Sequence, residues 1–476
     1  MECVNGEIHL SDAATLTLPT DATVTTKPKK VCWLCRSTDW LDVDYLRQEP
    51  KRMVVCQGCG LVTFSRFHDT HEYESYYDHS YRESQGVTVH NMLTTNRKTG
   101  YHQMFLGPWL DQHKGCRVGE IGSSIGYFLR WCRDKYNCHI VCGSELTSSH
   151  RRYAKHAFKL DLSKDFDYTN TYDLIACYHT LEHVPDPVEM LTKLRGCLSD
   201  DGVLYLSFPV WMDELMRFGG GPFVSFDEHF HPDHINAWSR WHVKEMFRLT
   251  GWKIIQENTQ SYGLTVLCQK TTPEPIRVTD APSARQVETQ LSDMQRASVA
   301  FKKGQFAEAI RLYPRFVDAY LAEAVNHVKH LDRQLELFNA GEALCPNTRV
   351  WSFARGRVWY QWGRLDEAEQ AFRHGLEMKP HDDDILVLLA IISMKRGLLL
   401  LPRDQATAMP HFEKAIGLFN LVIGLNPTQF ANCFNMIAHM FSVVPLPDEA
   451  EHFVAPHALG APHIDLPTER TVAAEG

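Results

Sequence analysis

Basic residues are not in excess in this chain. It sets 58 Asp and Glu against 49 Lys and Arg, for a formal net charge of −9. A nucleic-acid surface normally needs a basic face, so that class of partner is not expected. Long apolar runs are also missing. A membrane span needs ~18 consecutive apolar residues, and the longest run, Ile385 to Ile392, falls well short. The first 30 residues, rich in Thr, Asp and Ala, lack the basic start and apolar core of a signal peptide. The expected location is cytoplasmic, with no membrane contact. What remains is an ordinary globular composition, 44% hydrophobic and 22% charged. At ~150 residues per domain the length suggests about three domains. Fourteen cysteines, in a long chain without a leader, are expected to be reduced or metal-bound.

The stretch from Cys116 to Glu145 organises the rest. A short apolar strand, Arg117 to Ile121, carries Glu120 near its end and breaks into a glycine turn from Gly122 through Ser123 to Gly126. A helix with apolar Phe128, Leu129 and Trp131 follows, then a second strand that ends before Glu145. Glycines let backbone approach a ligand, and the helix start offers unpaired N–H groups. An acidic residue about 20 positions after the turn can bond both hydroxyls of a ribose. The spacing is E-x-G-x-x-x-G rather than G-x-G-x-x-G, and glycine turns also serve as plain punctuation.

Further strands alternate with helices, as in a doubly wound, mostly parallel sheet. Tyr172 to Cys177 reads as a buried strand and opens into the His179 to His183 loop; a helix over 188–197 and a turn at Asp200, Asp201 and Gly202 precede the next strand. Ligands bind such sheets at the carboxyl ends of the strands, where Glu120, Glu145, Asp161 and the His179 to His183 loop all fall. Upstream, Cys32 and Cys35, then Cys56 and Cys59, form two C-x-x-C knuckles with the separation of a zinc ribbon. Four protein ligands close such a site, so its zinc is structural. The segment from His71 to Tyr81, with Tyr76, Tyr77 and Tyr81, reads either as a lid over a polar substrate or as an amphipathic connector.

EIGSSIGYFL at 120–129, followed by YDLIACYHTLEHVPDPVEMLTKLRGCLSDDGVLYLSFP at 172–209, resembles the class I S-adenosylmethionine-dependent methyltransferases. The likeness covers about residues 110 to 270. With the four-cysteine ribbon ahead of it, the arrangement is similar to the sugar C-methyltransferases that act on nucleotide-linked sugars. The resemblance implies S-adenosylmethionine as cofactor, held by Glu120, Gly122, Ser123, Gly126, Glu145, Leu146, Asp161, His179, Leu181 and Glu182. It implies acceptor contacts from the tyrosine segment and a late histidine motif containing His229, His231, Asp233 and His234, the last with Trp238 and Ser239 in the family pattern. Asp stands here for the family's Glu, and His231 for its tyrosine. Read as chemistry, this cluster is a general base array, His234 oriented by Asp233 with His229, His231 and His179 nearby, or a metal site. The H-x-x-E-H formed by His179, Glu182 and His183 also matches inverted zinc peptidases, but Pro185 and Pro187 disfavour the helix that chemistry needs.

From about Ser292 the chain turns helical and proline-punctuated. Trp351, Gly356, Tyr360, Gly363, Ala368, Ala371, Gly375 and Pro380 follow the pattern of a tetratricopeptide repeat. Such stacks present a surface to a partner, or serve self-association. The expected layout is a tail at 1–30, ribbon at 31–65, methyltransferase domain at 66–270, linker at 271–290, repeats at 291–445 and a loose tail at 446–476. The expected acceptor is a small polar metabolite; a protein or carrier-bound substrate recruited by the repeats is the alternative.

Overall fold

The computed structural model describes residues 30–43, 52–64, 102–210, 234–260, 263–344, 346, 349–379, 382–426 and 429–443. Tyr76, Tyr77, Tyr81, His229, His231, Asp233 and, residue 30 apart, the two terminal tails lie outside them.

Three short strands, β1 (Trp40–Asp42), β2 (Met53–Cys56) and β3 (Val62–Phe64), pair antiparallel in a meander. After a helix α1 over 102–112 come β4 (Arg117–Ile121), α2 (Tyr127–Tyr136), β5 (His139–Ser144) and α3 (Ser148–Phe158). Then follow β6 (Tyr172–Tyr178), α4 (Pro187–Cys197) and β7 (Leu198–Phe208). The two-residue β8 (Asn236–Ala237), α5 (Arg240–Thr250), β9 (Trp252–Gln260) and β10 (Gly263–Lys270) complete this part. The main sheet is six-stranded, in the order β5-β4-β6-β7-β10-β9, and only β10 runs antiparallel to its neighbours. This is the Rossmann-like arrangement. The chain steps from β4 to β5 on one side and returns to β6 on the other, which opens a crevice at the carboxyl ends of β4 and β6.

The central strands are apolar on both faces. Val118, Leu174, Ile175, Ala176, Cys177, Val203, Leu204 and Leu206 are fully buried, as a parallel sheet covered by helices requires. Local chemistry sets the ends. Pro187 occupies the first turn of α4, where its missing N–H costs nothing, and Asp186 Oδ1 accepts from Glu189 N at 2.9 Å. Asp200 to Gly202, expected as a turn, lie inside β7. They appear there as a jump in register, Tyr172 facing Leu198 but Leu174 facing Val203.

At the opposite end of β6, Asp173 takes a forked bond from Arg117, Nε to Oδ2 at 3.0 Å and a terminal nitrogen to Oδ1 at 2.8 Å. Hydrogen bonds from Arg117 hold this carboxyl down to about 2. A depressed folded value stabilises above the ordinary value of 3.8, and that contribution is lost as pH falls through about 2. Asp173→Asn should cost about 1.5–3 kcal/mol near neutrality. Chemical denaturation at pH 7 checks the size, and the gap to wild type should shrink as pH falls from about 4 and close only below about 2.

The short strand β8 pairs with β3, Asn236 facing Thr63 and Ala237 facing Val62, so the meander becomes a four-stranded sheet. Its other covering is α6 (Ala284–Lys302), which begins inside the stretch read as linker. Val287, Leu291, Met294 and Phe301 form a helical stripe against Met53, Val55, Val62, Phe64, Ile235 and Ala237. The proline-rich approach to α6 is also tied down. Arg277 N donates to Glu245 Oε2 at 2.6 Å, and Arg248 to the Pro275 carbonyl at 2.7 Å.

Beyond α6 the chain is helical: α7 (Phe306–Leu312), α8 (Val317–Asn326), α9 (Leu331–Leu344), α10 (Arg349–Gln361), α11 (Leu365–Met378), α12 (Asp383–Leu400), α13 (Gln405–Leu425) and α14 (Phe430–Val443). Consecutive helices pack on one another. Small residues permit the close crossings: a Cβ at Gly356 would stand 2.4 Å from the Phe372 ring, and one at Gly341 2.3 Å from Trp351. No helix among the described residues is long and apolar enough to cross a membrane.

Candidate active site

Two constellations meet the crevice. The first is the turn after β4. Gly122 and Gly126 take left-handed φ values of +72° and +81°, and Ser124 joins them at +49°. A Cβ on Gly122 would lie 2.2 Å from Thr180 Oγ1, so the β6 loop closes on the turn without room for a side chain. Ser123 N donates to the Ser144 carbonyl at 2.8 Å, docking the turn on the end of β5.

Just past that strand stands Glu145. Its Oε2 accepts from Ser124 N at 2.8 Å and its Oε1 from Thr147 N at 2.9 Å. Arg151 of α3 donates to the carbonyls of Glu145 and Leu146, both at 2.5 Å. The carboxylate is thereby fixed over the glycine turn. Glu120 and Ser123 are also buried, while Leu146 is half-buried. Asp161 is exposed and pairs with Lys155 at 3.1 Å, whereas its neighbours Leu160 and Leu162 pack under Gly126 and Gly143.

The second constellation follows β6. His179 holds a left-handed φ of +52°, and its N–H donates to the Ser207 carbonyl at 2.7 Å. A non-glycine residue there marks a backbone over-determined by its surroundings. Leu181 to His183 make one 3₁₀ turn, not the helix a peptidase motif requires. Glu182 is fully buried. Its Oε1 lies 3.3 Å from His179 Nδ1 and 4.0 Å from His234 Nε2. Burial would raise this carboxyl, but the His179 hydrogen bond and the charges of His183, His179 and His234 outweigh it and hold it at about 2. The rings of His183 and His234 meet edge to face at 4.8 Å. Within the late motif, His234 therefore faces Glu182. The sequence places Glu182 among the cofactor contacts and in an H-x-x-E-H pattern; its approach to His234 comes only from the fold.

The four cysteines converge at the ribbon knuckles. Their sulfurs lie within 4.8 Å of one another, Cys32 to Cys59 at 3.8 Å and Cys35 to Cys56 at 3.4 Å. A tetrahedral ion with ~2.3 Å bonds sets its sulfurs ~3.8 Å apart. The crowded thiols titrate unequally: hydrogen bonds with Cys32 lower Cys56, and lower Cys35 to about 7, while Cys32 and Cys59 are raised. Four thiolates need a cation. Behind the second knuckle, His242 Nε2 lies 2.9 Å from the Cys59 carbonyl, which can only accept, and Ser239 N donates to Nδ1 at 3.0 Å. The tautomer is fixed as neutral Nε2–H, and burial pushes this imidazole down to about 4.

Residues 89–257 match the sequence profile of a family described as a methyltransferase domain. The chain carries a methyltransferase domain. A curated relative, the ubiquinone biosynthesis O-methyltransferase of Haemophilus ducreyi, is 31% identical over 83 residues, 14% of this chain and 35% of that protein. The chain thus spans about a third of that relative's length. Among solved structures, an S-adenosylmethionine-dependent methyltransferase from Aquifex aeolicus aligns at 13% identity and a TM-score of 0.28, over 43% of this chain and 100% of that one. A Haloferax volcanii methyltransferase complex with its activator aligns at 14% identity and 0.29, over 44% and 100%. The glycine turn and the His179 to His234 cluster both fall within the matched residues of the methyltransferase domain.

Proposed function

We propose that the chain transfers a methyl group from S-adenosylmethionine to carbon or oxygen of a small polar metabolite, with a nucleotide-linked sugar as the favoured class, and that His234 is the general base. One arrangement carries the reading: the Glu145 carboxylate over the glycine turn of β4, and the Glu182–His234 pair just after β6, both stand at the carboxyl ends of the parallel strands, where such sheets bind ligands. When bound, the cofactor supplies an electrophilic methyl group on a sulfonium. The chain's part is alignment and proton removal. Glu145 offers two carboxylate oxygens to a ribose, and the N–H donors of Ser124 and Thr147 hold those oxygens in place. The His234 imidazole takes the acceptor's proton, and the imidazolium formed lies 4.0 Å from Glu182 Oε1, a counter-charge already in place. Glu182 assumes here the orienting role that the sequence gave to Asp233. Cys32, Cys35, Cys56 and Cys59 are assigned to a structural zinc on the spacing of their sulfurs.

Glu145→Ala should weaken S-adenosylmethionine binding by about 1–3 kcal/mol. Unchanged affinity in a calorimetric titration removes the ribose assignment. The acceptor class is tested with methyl-labelled cofactor and a cell extract split by size. Label in the small-molecule fraction supports the proposal. Label on protein moves the acceptor to a recruited macromolecule and gives the helical region the task of capture. Label in neither fraction counts against transfer.

A further inference from the structure

The ribbon and the proposed base share one buried residue. Asn236 is fully buried. Its Oδ1 accepts from Trp33 Nε1 at 2.9 Å, and its Nδ2 donates to the Val184 carbonyl at 2.7 Å. An indole N–H can only donate and a peptide carbonyl can only accept, so the amide is oriented without ambiguity. Trp33 sits inside the first knuckle, between Cys32 and Cys35, and its ring meets Trp238 at 6.2 Å. Val184 directly follows the turn that carries Glu182 and His183. The backbone of Asn236 pairs with Thr63 of the ribbon, and Phe64 N donates to the Ile235 carbonyl at 3.1 Å. His234 is two residues away.

Resting on the reading of His234 as the base, we infer that Asn236 is a positioning residue through which the first cysteine knuckle sets His234 against Glu182. Its two side-chain bonds fasten the loop carrying Glu182 to the ribbon, and its main chain fastens the strand that follows His234 to the same ribbon. Neither isostere serves. Leucine makes neither bond, and aspartate turns a second acceptor toward the Val184 carbonyl. Among the described residues, Glu182 and His183 face His234, and His179 Nδ1 lies 3.3 Å from the same Glu182 oxygen. Loosening Asn236 therefore separates an imidazole from its counter-charge, while the Glu145 carboxylate keeps its own backbone donors, Ser124 and Thr147.

The test uses full-length, zinc-loaded protein with Asn236→Ala, Trp33→Phe and the double variant. The imidazole of His234 is titrated by NMR, and kcat, KM and cofactor affinity are measured where an acceptor is in hand. Asn236→Ala should weaken the proton affinity of His234 at least ~3-fold, since a carboxylate at this distance favours the imidazolium. It should also lower kcat at least ~10-fold with bound zinc and cofactor affinity unchanged, the pattern of a displaced general base. Trp33→Phe, which removes the N–H together with the pyrrole half of the indole, should act in the same direction, and the double variant should be no worse in His234 titration and kcat than Asn236→Ala. A variant with lower Tm but unaltered His234 titration and kcat makes the contact merely structural and overturns the inference, as do additive single effects. The titration needs no turnover. A shift in it with no acceptor methylated by any form would leave Asn236 as the positioning residue and remove the base reading instead.

Discussion

His234→Ala is expected to lower turnover at least ~100-fold while leaving S-adenosylmethionine affinity intact. The side chain is 17% exposed and lies 4.0 Å from the buried Glu182 carboxylate, whereas the proposed cofactor contacts are the glycine turn and Glu145. Glu182→Gln should give a smaller loss with a distinct signature. The carboxylate favours the imidazolium, so neutralising it lowers the pKa of His234, and the acidic limb of the kcat profile moves to lower pH. At 4.0 Å and an effective dielectric of ~20 the attraction is up to about 4 kcal/mol, enough to move that limb by a unit or more. A His234→Ala protein as active as wild type would place the base elsewhere. A Glu182→Gln limb that moves to higher pH would reject the pairing.

The second large effect concerns the helical region. A chain ending at residue 283 is expected to lose turnover even on a small, soluble acceptor. The cut removes α6, and with it the cover over Met53, Val55, Val62 and Phe64, each 2% exposed or less. Fully buried side chains of this kind contribute about 1.5–3 kcal/mol each. As an upper bound, their loss rivals the whole net stability of a domain, about 5–15 kcal/mol. The ribbon sheet, and the strand that follows His234, would go with it. Leu291→Ala and Met294→Ala reach the same contact with the helices left in place and should each cost about 2–5 kcal/mol. Full activity and a cooperative melt in the truncated chain would instead make the helices a detachable arm.

The parts legible in the sequence are those with a local pattern. The glycine turn, Glu145 and the H-x-L-E-H loop announce themselves within a few residues, because the backbone geometry of a strand-to-helix turn leaves few residue choices. The apolar strands of the main sheet did so too, through continuous burial. What could not be read is what long-range pairing creates. Asn236 and Ala237 carry no strand period, yet they pair with β3 because its free edge lies beside them. Ala284 to Lys302 has an ordinary apolar stripe, and nothing in it names the ribbon as the surface it covers. Asp200 to Gly202 look like a turn by composition, but β6 pairs on both sides of them and holds them in the strand. Glu182 sat in a motif already given to the cofactor, so its place opposite His234 waited on the fold.

The pairing of β3 with β8 also orders events in time. Trp33 and Asn236 are 203 positions apart. A ribosome adding ~5–20 residues per second needs on the order of ten seconds or more to cover that distance. Through that interval the cysteine knuckles are complete and able to take up metal, while β3 shows an open edge of unpaired N–H and C=O groups. Such an edge invites a strand from another chain. The newborn ribbon is therefore an aggregation hazard until its last strand, distant only in sequence, is synthesised, and crowded synthesis should be punished more by slow elongation through residues 65–233 than by scarcity of zinc.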